Sequence, residues 1–559
     1  MKGIISYLHS IKKTHIILFL IILFDLLLYT CVAHDKEMHF CDEMWSYASA
    51  NSPVQPFLVQ GSPYFNKWKS RDEVKNLFSP SLKDRFTYSR ILNNLDIDVH
   101  APVYHYIIHT ISSIFNGTDS IWVGLSINYI SFIIVMIFLF QSVKLLNSER
   151  TALIICLMFS LSVGAIIQAT FIRMYELLCA FSMACIYFHI VLLKSIYCDE
   201  HLDNKQINKI LFIISGLYLL AYLTHFSFIV FAGILSFCSF MLICKKTNDI
   251  SLCGKYVLCT TAPFILSFII LPKSFNILMG KVYADGGRIL NRLVNEDLLF
   301  RFHQFWQILD HKLHLTYLFC AGIISALIFI WKKTIKFKFI PVDNSTSFTY
   351  NFKLSFKRFK ITIPKHNVLF FLLFSFIFIT TFLLIIKTSY FPSIRYVWMI
   401  VPIIYLLLGL LINSKYSITL FLVAAILAAS INIRDEKIDF LTKIHKSKIW
   451  LNENKIETIL YYKRLSWLHY IEDSSLLSSV PRSYATSDLT KHIDTSSDKV
   501  AVIFSSQLFN PGTRDLPLEY VDTTKKALGF NEAKQLSKEQ GGELWLFSKS
   551  DKSNTTGTH

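Results

Sequence analysis

HIILFLIILFDLLLYTCVA, residues 15–33, is a nearly continuous apolar segment close to the amino terminus. It follows Lys12 and Lys13, and it is long enough to cross a bilayer as a helix, which takes about 20 apolar residues. The residues Cys31 to Ala33 faintly resemble a signal-peptide cleavage site, but the length of the segment favours a retained membrane anchor. The polar stretch HFCDEMWSY, residues 39–47, then begins a hydrophilic loop that is expected outside the cell or in a lumen.

The composition excludes a soluble globular protein. Hydrophobic residues make up 53% of the chain, the mean hydropathy is +0.43, and many separate apolar runs have the length of a membrane-spanning helix. The net charge of +17 comes from Lys and Arg that gather in particular loops, which is how membrane topology is encoded, so no nucleic-acid partner is expected. Most of the eleven Cys lie in or beside apolar runs without zinc spacing. Only Cys31 and Cys41 are placed for an external disulfide.

Hydropathy predicts an all-α polytopic membrane protein with about eleven transmembrane helices. Residues 101–115 are too short and too rich in His to cross a bilayer, and they predict a juxtamembrane helix in the first external loop. The predicted spans are 15–33, 120–143, 151–169, 174–195, 209–223, 226–244, 254–272, 315–331, 367–386, 396–412 and 416–432.

Charge predicts the orientation of these spans. The densely basic loop 332–365 is expected inside, which places every candidate polar motif on the outer face. We therefore predict a transmembrane domain over residues 1–432, whose first external loop is 34–119. Residues 433–559 predict a small extracytoplasmic α/β domain, with strand-like pieces at 500–504 and 544–547 and a disordered tail after Ser548.

Two short motifs carry a family resemblance. DEMWSY (residues 42–47) and HAPVYHY (residues 100–106) resemble the DE-x-W-S-Y and H-P-P-L-Y-Y motifs of integral-membrane glycosyltransferases of the GT-C class. The similar branch includes dolichyl-phosphate-mannose protein mannosyltransferases and the lipid A aminoarabinose transferase. The resemblance covers about residues 10–240 and then Arg395-Tyr396. It departs from the family at Ala101, which replaces a proline, and at His105, which separates the two tyrosines.

The resemblance implies an inverting glycosyltransferase at the outer face of a bacterial cytoplasmic membrane. The donor would be a polyprenyl-phosphate sugar, and the acceptor a lipopolysaccharide, another cell-surface glycan or a glycolipid. Asp42 is the candidate general base, because a partly desolvated carboxylate can take the proton of an attacking hydroxyl. Glu43 is expected to orient a substrate or a neighbour. Alternatively, both residues are solvated loop acids.

The phosphate of the donor needs cationic groups near the membrane surface, and His100, Arg173 and Arg395 are the candidates. The simpler alternatives are a helix-capping His100, a snorkelling Arg173 and an interface anchor at Arg395. Three aromatic candidates could stack on a sugar face or hold the lipid near its headgroup, or they belong to an ordinary aromatic belt: Trp45, Tyr104 and Tyr106. His225 could line the donor cavity or be a satisfied interface histidine. Tyr175, close to Arg173, is a further candidate for substrate binding. Loop 273–314 could cover the site with Tyr283, Asp285, Arg288 and Arg292.

The sequence contains no Gly-rich phosphate loop and no metal-spaced His/Asp cluster, so no metal or other cofactor is expected. The resemblance leaves a divalent cation open. Two other function classes stay open as well. One is a lipid or sugar transporter, which should show internal repeats and ionisable residues near the midplane. The other is a non-catalytic or polymerase-like component of envelope polysaccharide assembly.

Overall fold

The computed structural model of this chain of 559 residues divides into two compact units. Unit 1 contains residues 1–31, 99–104 and 125–437, and unit 2 contains residues 32–98, 105–124 and 438–559. The structure describes residues 13–34, 36, 39–53, 67–96, 98, 100–115, 120–198, 202–272, 297–313, 315–316, 352–356, 359–363, 365–389, 391–411, 450–462, 480–486, 493, 495, 497–505, 508, 516–539 and 542–549.

The prediction of a mostly helical, multi-pass membrane protein is confirmed. Seven segments are long and apolar enough to cross a membrane, and an eighth is a bent pair of helices. The predicted spans 315–331 and 416–432 and the cover residues 283–292 lie outside the described residues, so the count of about eleven stays a prediction. The seven segments are α1 (Lys13–His34), α6 (Ile121–Leu146), α9 (Tyr175–Tyr197), α11 (Phe228–Thr247), α12 (Ile250–Ile270), most of α14 (Lys365–Thr388), and a composite of α15 (Ile394–Val397), a 3₁₀ turn (Trp398–Ile400) and α16 (Val401–Leu411).

The span predicted for residues 151–169 corresponds to the bent pair of helices. Helix α7 (Glu149–Ser160) and helix α8 (Val163–Thr170) meet at an angle of 65°. The break falls at Ser162, whose side chain accepts a hydrogen bond from Ala165 N–H and so caps the start of α8. Hydropathy does not register such a break, because both helices are apolar. The bend sends the chain into the short segment that carries Arg173.

Other described elements of unit 1 complete its helical bundle. Helix α10 (Asn204–Tyr222) corresponds to the predicted span 209–223 and begins with an Asp203 cap and a polar first turn. Helix α13 (Leu298–Leu313) packs against α14, and a hairpin of β2 (Phe352–Phe356) and β3 (Phe359–Ile363) precedes α14.

In unit 2 the first loop forms short helices, as expected for a loop lying close to a membrane. Helix α2 (Cys41–Asn51) carries the DEMWSY motif, and α5 (Val103–Ile114) is the predicted juxtamembrane helix. Between them lie β1 (Trp68–Ser70), α3 (Arg71–Lys75) and α4 (Ser89–Leu95). The side chain of Asn51 ties α2 to the rest of the loop, since it donates to Phe78 O (2.7 Å) and contacts His109 Nδ1 of α5 (3.0 Å).

The carboxy-terminal part of unit 2 is an α/β fold around one six-stranded sheet, of order β1-β5-β4-β6-β8-β7. The strand-like pieces predicted at 500–504 and 544–547 are confirmed as β6 and β8. The edge strand β1 comes from the first loop, about 400 residues earlier in the chain, and Trp68 lies opposite Tyr484 of β5. The remaining elements are β4 (Thr458–Tyr462), β5 (Arg482–Thr486), β6 (Lys499–Ser505), α17 (Leu518–Leu528), β7 (Glu532–Glu539) and β8 (Gly542–Ser548). The division of the chain at residue 432 stays a prediction.

Candidate active site

Three basic side chains of unit 1 form what we call the cationic cluster: His100, Arg173 and Arg395. Arg173 Nη2 lies 2.7 Å from His100 Nε2, and Arg173 is buried. A guanidinium has only donors, so the imidazole accepts through Nε2 and carries its proton on Nδ1. The two residues stand 73 positions apart in the chain, and the fold brings them into direct contact.

The backbone around the cluster explains how His100 is placed. Val103 N–H donates to Leu223 O at 2.9 Å, which fixes the HAPV segment beside the turn that holds Thr224 and His225. On the other side, α8 ends at Phe171, and Arg173 N–H donates to Phe171 O at 2.8 Å in the short link to α9. The predicted motif residues therefore converge because two helix ends and one loop meet.

Arg395 is held among aromatic rings. Its guanidinium carbon lies 4.8 Å from the ring centroid of Phe391 and 5.2 Å from that of Tyr396. The rings of Phe171 and Tyr175 are each 5.9 Å away. A planar guanidinium stacks well on such rings and still presents its N–H edge to an anion. This surrounding is richer than that of a simple interface anchor.

His225 lies beside the cationic cluster and is neutral. Burial is the main cause that lowers the pKa of His225 to about 3, and the nearby basic side chains of the cluster, among them the positive charges of Arg173 and Arg395, add to it. Its Nδ1 accepts hydrogen bonds from Ser227 N–H (3.1 Å) and from Ser227 Oγ–H (2.7 Å), so the ring proton lies on Nε2. The ring of Tyr175 packs 5.5 Å from this imidazole. The electrostatic influence of all three cluster residues on one side chain indicates that they surround a common region.

The acid pair lies in unit 2, within a segment that we call the acidic turn, residues 36–43. Lys36 Nζ and Glu43 Oε1 form an ion pair at 2.5 Å, and neither side chain is exposed. Glu43 Oε2 also accepts the Phe40 N–H at 2.7 Å, which closes the first turn of α2. Asp42 is partly exposed at the same helix start. The two acids therefore differ: Glu43 is buried in an ion pair, and Asp42 is partly exposed.

Trp45 is anchored by a carboxylate in the same unit. Its indole N–H donates to Asp98 Oδ2 at 2.7 Å, while Ser49 Oγ lies 3.5 Å from the same oxygen. Asp98 is buried. This bond links the DEMWSY helix to Asp98 at the end of the same stretch of unit 2.

The two tyrosines of the HAPVYHY motif have different surroundings. Tyr104 belongs to unit 1 and is fully buried, and its hydroxyl lies 3.5 Å from Asn128 Oδ1. Tyr106 belongs to unit 2, is half-buried, and packs 5.6 Å from the ring of Tyr88. Of the two rings, only Tyr106 has a partly exposed face on which a sugar could stack.

Sequence reasoning did not select several residues that complete these groups. Lys36 and Asp98 are the partners of Glu43 and Trp45, and Phe391 and Tyr396 surround Arg395. Tyr396 follows Arg395 directly, so the Arg395-Tyr396 pair in the sequence already indicated this neighbour. Nothing in the sequence pairs Lys36 with Glu43. Within the described ranges, no group of three or more His, Cys, Asp or Glu side chains is arranged to hold a metal ion.

Comparison with family models and with curated proteins gives no match. Among solved structures, the chain is similar to ArnT from Cupriavidus metallidurans bound to undecaprenyl phosphate, with a TM-score of 0.48 and 10% identity over 96% of this chain and 99% of that one. It is also similar to the oligosaccharyltransferase of Archaeoglobus fulgidus in the apo form, with a TM-score of 0.46 and 11% identity over 98% and 75% of the two chains. Because these TM-scores lie below 0.5, the function proposed below rests on the side chains and their geometry.

Proposed function

We propose that this chain is a membrane glycosyltransferase that moves a sugar from a polyprenyl-phosphate donor to a hydroxyl of a cell-surface glycan, lipopolysaccharide or glycolipid. The reaction takes place at the outer face of a bacterial cytoplasmic membrane and inverts the anomeric carbon. The convergence of His100, Arg173 and Arg395 carries this proposal, because three nitrogen donors gathered in one place suit a phosphate.

The chemistry requires two opposite kinds of group. The acceptor hydroxyl attacks the anomeric carbon and loses its proton, while the bond from that carbon to the phosphate oxygen breaks. Asp42 takes the proton as the general base, a role worth about 10²- to 10⁴-fold in rate. The leaving polyprenyl phosphate gains negative charge, which the cationic cluster stabilises.

The remaining site residues hold the substrates in position. Tyr175 and the neutral His225 line the region beside the cluster, and the Nε2–H of His225 donates to a donor oxygen. Trp45 and Tyr106 offer aromatic faces to a sugar ring. Glu43 acts at a distance, by fixing the start of α2 and with it the backbone of Asp42.

The test is transfer of radiolabelled sugar by the purified protein from a panel of polyprenyl-phosphate sugars. We expect Asp42→Asn to lose turnover while it still binds polyprenyl monophosphate, and Arg173→Ala to lose that binding. The controls are Asp84→Asn, which changes another loop acid of unit 2, and Lys144→Met, which removes a cation at the far end of α6.

Each outcome has a distinct meaning. Activity that is insensitive to Asp42→Asn would assign the base to another residue of the first loop. Absence of transfer from every donor, combined with unaltered lipid-phosphate binding in Arg173→Ala, would overturn the proposal and favour the transporter or the assembly component.

A further inference from the structure

A buried hydrogen bond connects the two segments that carry the arginines of the cationic cluster. Trp398 Nε1–H donates to Glu176 Oε2 at 2.6 Å, and both side chains are almost completely buried. Glu176 follows Arg173 by three residues, and Trp398 follows Arg395 by three residues. Three residues of chain span at most about 11 Å, so this bond restrains the separation of the two arginines.

The Trp398 ring also fills the bend between α7 and α8. It stacks on Phe159 of α7, with centroids 5.7 Å apart and planes inclined by 27°. At Gly164 of α8, an added Cβ would lie 3.0 Å from the Trp398 Cζ3 atom. The absence of a side chain at Gly164 therefore makes room for the indole and for its neighbours Ile394 and Leu313, which an added Cβ would also approach to 3.0 Å. Since α8 leads directly to Arg173, the ring supports one arginine segment by packing and the other through its own chain.

We infer that Glu176 and Trp398 form a positioning pair that sets the distance between Arg173 and Arg395 for binding of the donor phosphate. This inference rests on the proposed function. Neither residue touches the substrate. A charged or polar group buried at this depth is costly unless it has a partner, and the indole N–H supplies that partner to the Glu176 carboxyl.

The experiment measures the affinity of the full-length protein in lipid nanodiscs for polyprenyl monophosphate. Trp398→Phe keeps the ring and removes the N–H, and Glu176→Leu removes the acceptor. Each should weaken binding about tenfold, which is the order of one buried hydrogen bond. Glu176→Gln keeps an oxygen that accepts the indole N–H, and it should bind within about twofold of the wild type.

A matched pair of glycine variants separates positioning from general packing. Gly164→Ala places a methyl group against Trp398 and should weaken binding. Gly409→Ala places a methyl group 2.9 Å from Val143, away from the cluster, and should lower the thermal midpoint without changing the affinity. Equal affinity losses in Gly164→Ala and Gly409→Ala would overturn the inference, because the losses would then reflect destabilisation alone.

A double-mutant cycle gives the decisive result. If the pair acts through the arginines, Trp398→Phe will have little further effect in an Arg173→Lys background, whereas independent effects would add. Additivity overturns the inference. The result also separates the two proposals: unaltered binding in Arg173→Ala together with no transfer from any donor removes the proposed function, while weakened binding in Arg173→Ala together with wild-type binding in Trp398→Phe removes only the positioning pair.

Discussion

The cationic cluster of unit 1 and the acidic turn of unit 2 are built in opposite ways. The cluster gathers residues from three distant parts of the chain, and its contact between Arg173 and His100 joins positions 73 residues apart. In the acidic turn, Glu43 bonds to residues three and seven positions away. In addition, the turn neutralises one of its acids with Lys36, whereas the cluster places like charges near each other. A site that concentrates one sign of charge is suited to binding, and a compensated ion pair is suited to holding structure.

The largest effect is expected in the acidic turn. Lys36→Met leaves the Glu43 carboxylate buried without its ion-pair partner, and we expect the free energy of unfolding to fall by about 3–5 kcal/mol. The double variant Lys36→Met with Glu43→Gln should recover part of this loss, because no unpaired charge remains.

Reversible denaturation in detergent measures the free energy of unfolding of the single and the double variant. Lys69→Met, which breaks a half-exposed pair with Glu73, is the control and should cost about 1 kcal/mol or less. If Lys36→Met and Lys69→Met lower the free energy of unfolding by similar amounts, Glu43 is not a structural residue.

The next effect concerns the shape of a cation in the cluster. Arg395→Lys keeps the charge but cannot stack as a plane on Phe391 and Tyr396, so we expect the affinity for polyprenyl monophosphate to fall about tenfold. Binding in nanodiscs measures this change. Lys144→Arg, at the cytoplasmic end predicted for α6, controls for exchange of one cation for another. Wild-type affinity in Arg395→Lys would mean that Arg395 contributes its positive charge to binding but not its planar shape.

His225 connects the cluster to pH. Its pKa of about 3 lies below the usual value of a histidine, so below about pH 6.5 the unfolded chain takes up a proton that the folded chain does not. Stability contributed by the neutral ring is therefore lost as the pH falls from 6.5 toward 3. Between pH 7 and pH 5 we expect the wild type to lose about 1 kcal/mol relative to His225→Gln, since the ring is partly exposed and screening reduces the effect. His303→Gln, in the exposed face of α13, controls for loss of an imidazole elsewhere. Parallel pH curves for wild type and His225→Gln would contradict the expectation.

The smallest effect should come from the edge of the sheet. The Arg482 guanidinium lies 4.4 Å from the ring centroid of Trp68, which joins β5 to β1. Arg482→Ala should reduce the free energy of unfolding by about 0.5–1 kcal/mol, the usual value of an exposed cation–π contact. Arg482→Lys should keep most of it. Thermal denaturation of the wild type, Arg482→Ala and Arg482→Lys measures these changes. A loss in Arg482→Ala larger than that in Lys36→Met would contradict the expectation, because the sheet edge would then stabilise the fold more than the acidic turn.

These differences also explain how far the sequence could predict the molecule. Hydropathy located the membrane-spanning helices and the strands β6 and β8, because both patterns are local. The two sequence motifs selected Asp42 and His100 as candidate site residues, and these assignments stay predictions. The ion pair between Lys36 and Glu43 was not visible, since a carboxylate pair looks the same in the sequence whether or not Lys36 reaches it.

Long-range contacts account for most of what was missed. The bend at Ser162, the hydrogen bond from Trp398 to Glu176 and the aromatic surroundings of Arg395 depend on how helices meet. Hydropathy records the apolar character of each segment and carries no information about its neighbours. The sequence did not predict strand β1 for the same reason, because its three residues have no strand pattern without β5 beside them.

The pairing of β1 with β5 sets an order for biosynthesis. Trp68 leaves the ribosome about 400 residues before Tyr484, which at typical rates of synthesis corresponds to about 20–80 s. Throughout this interval the loop that carries Asp42 has no sheet to join, and its strand edge is open to other chains. A chaperone that shields residues 68–70 until translation ends would therefore raise the yield of folded protein, and a stop codon placed before residue 482 would leave the first loop without the sheet it completes.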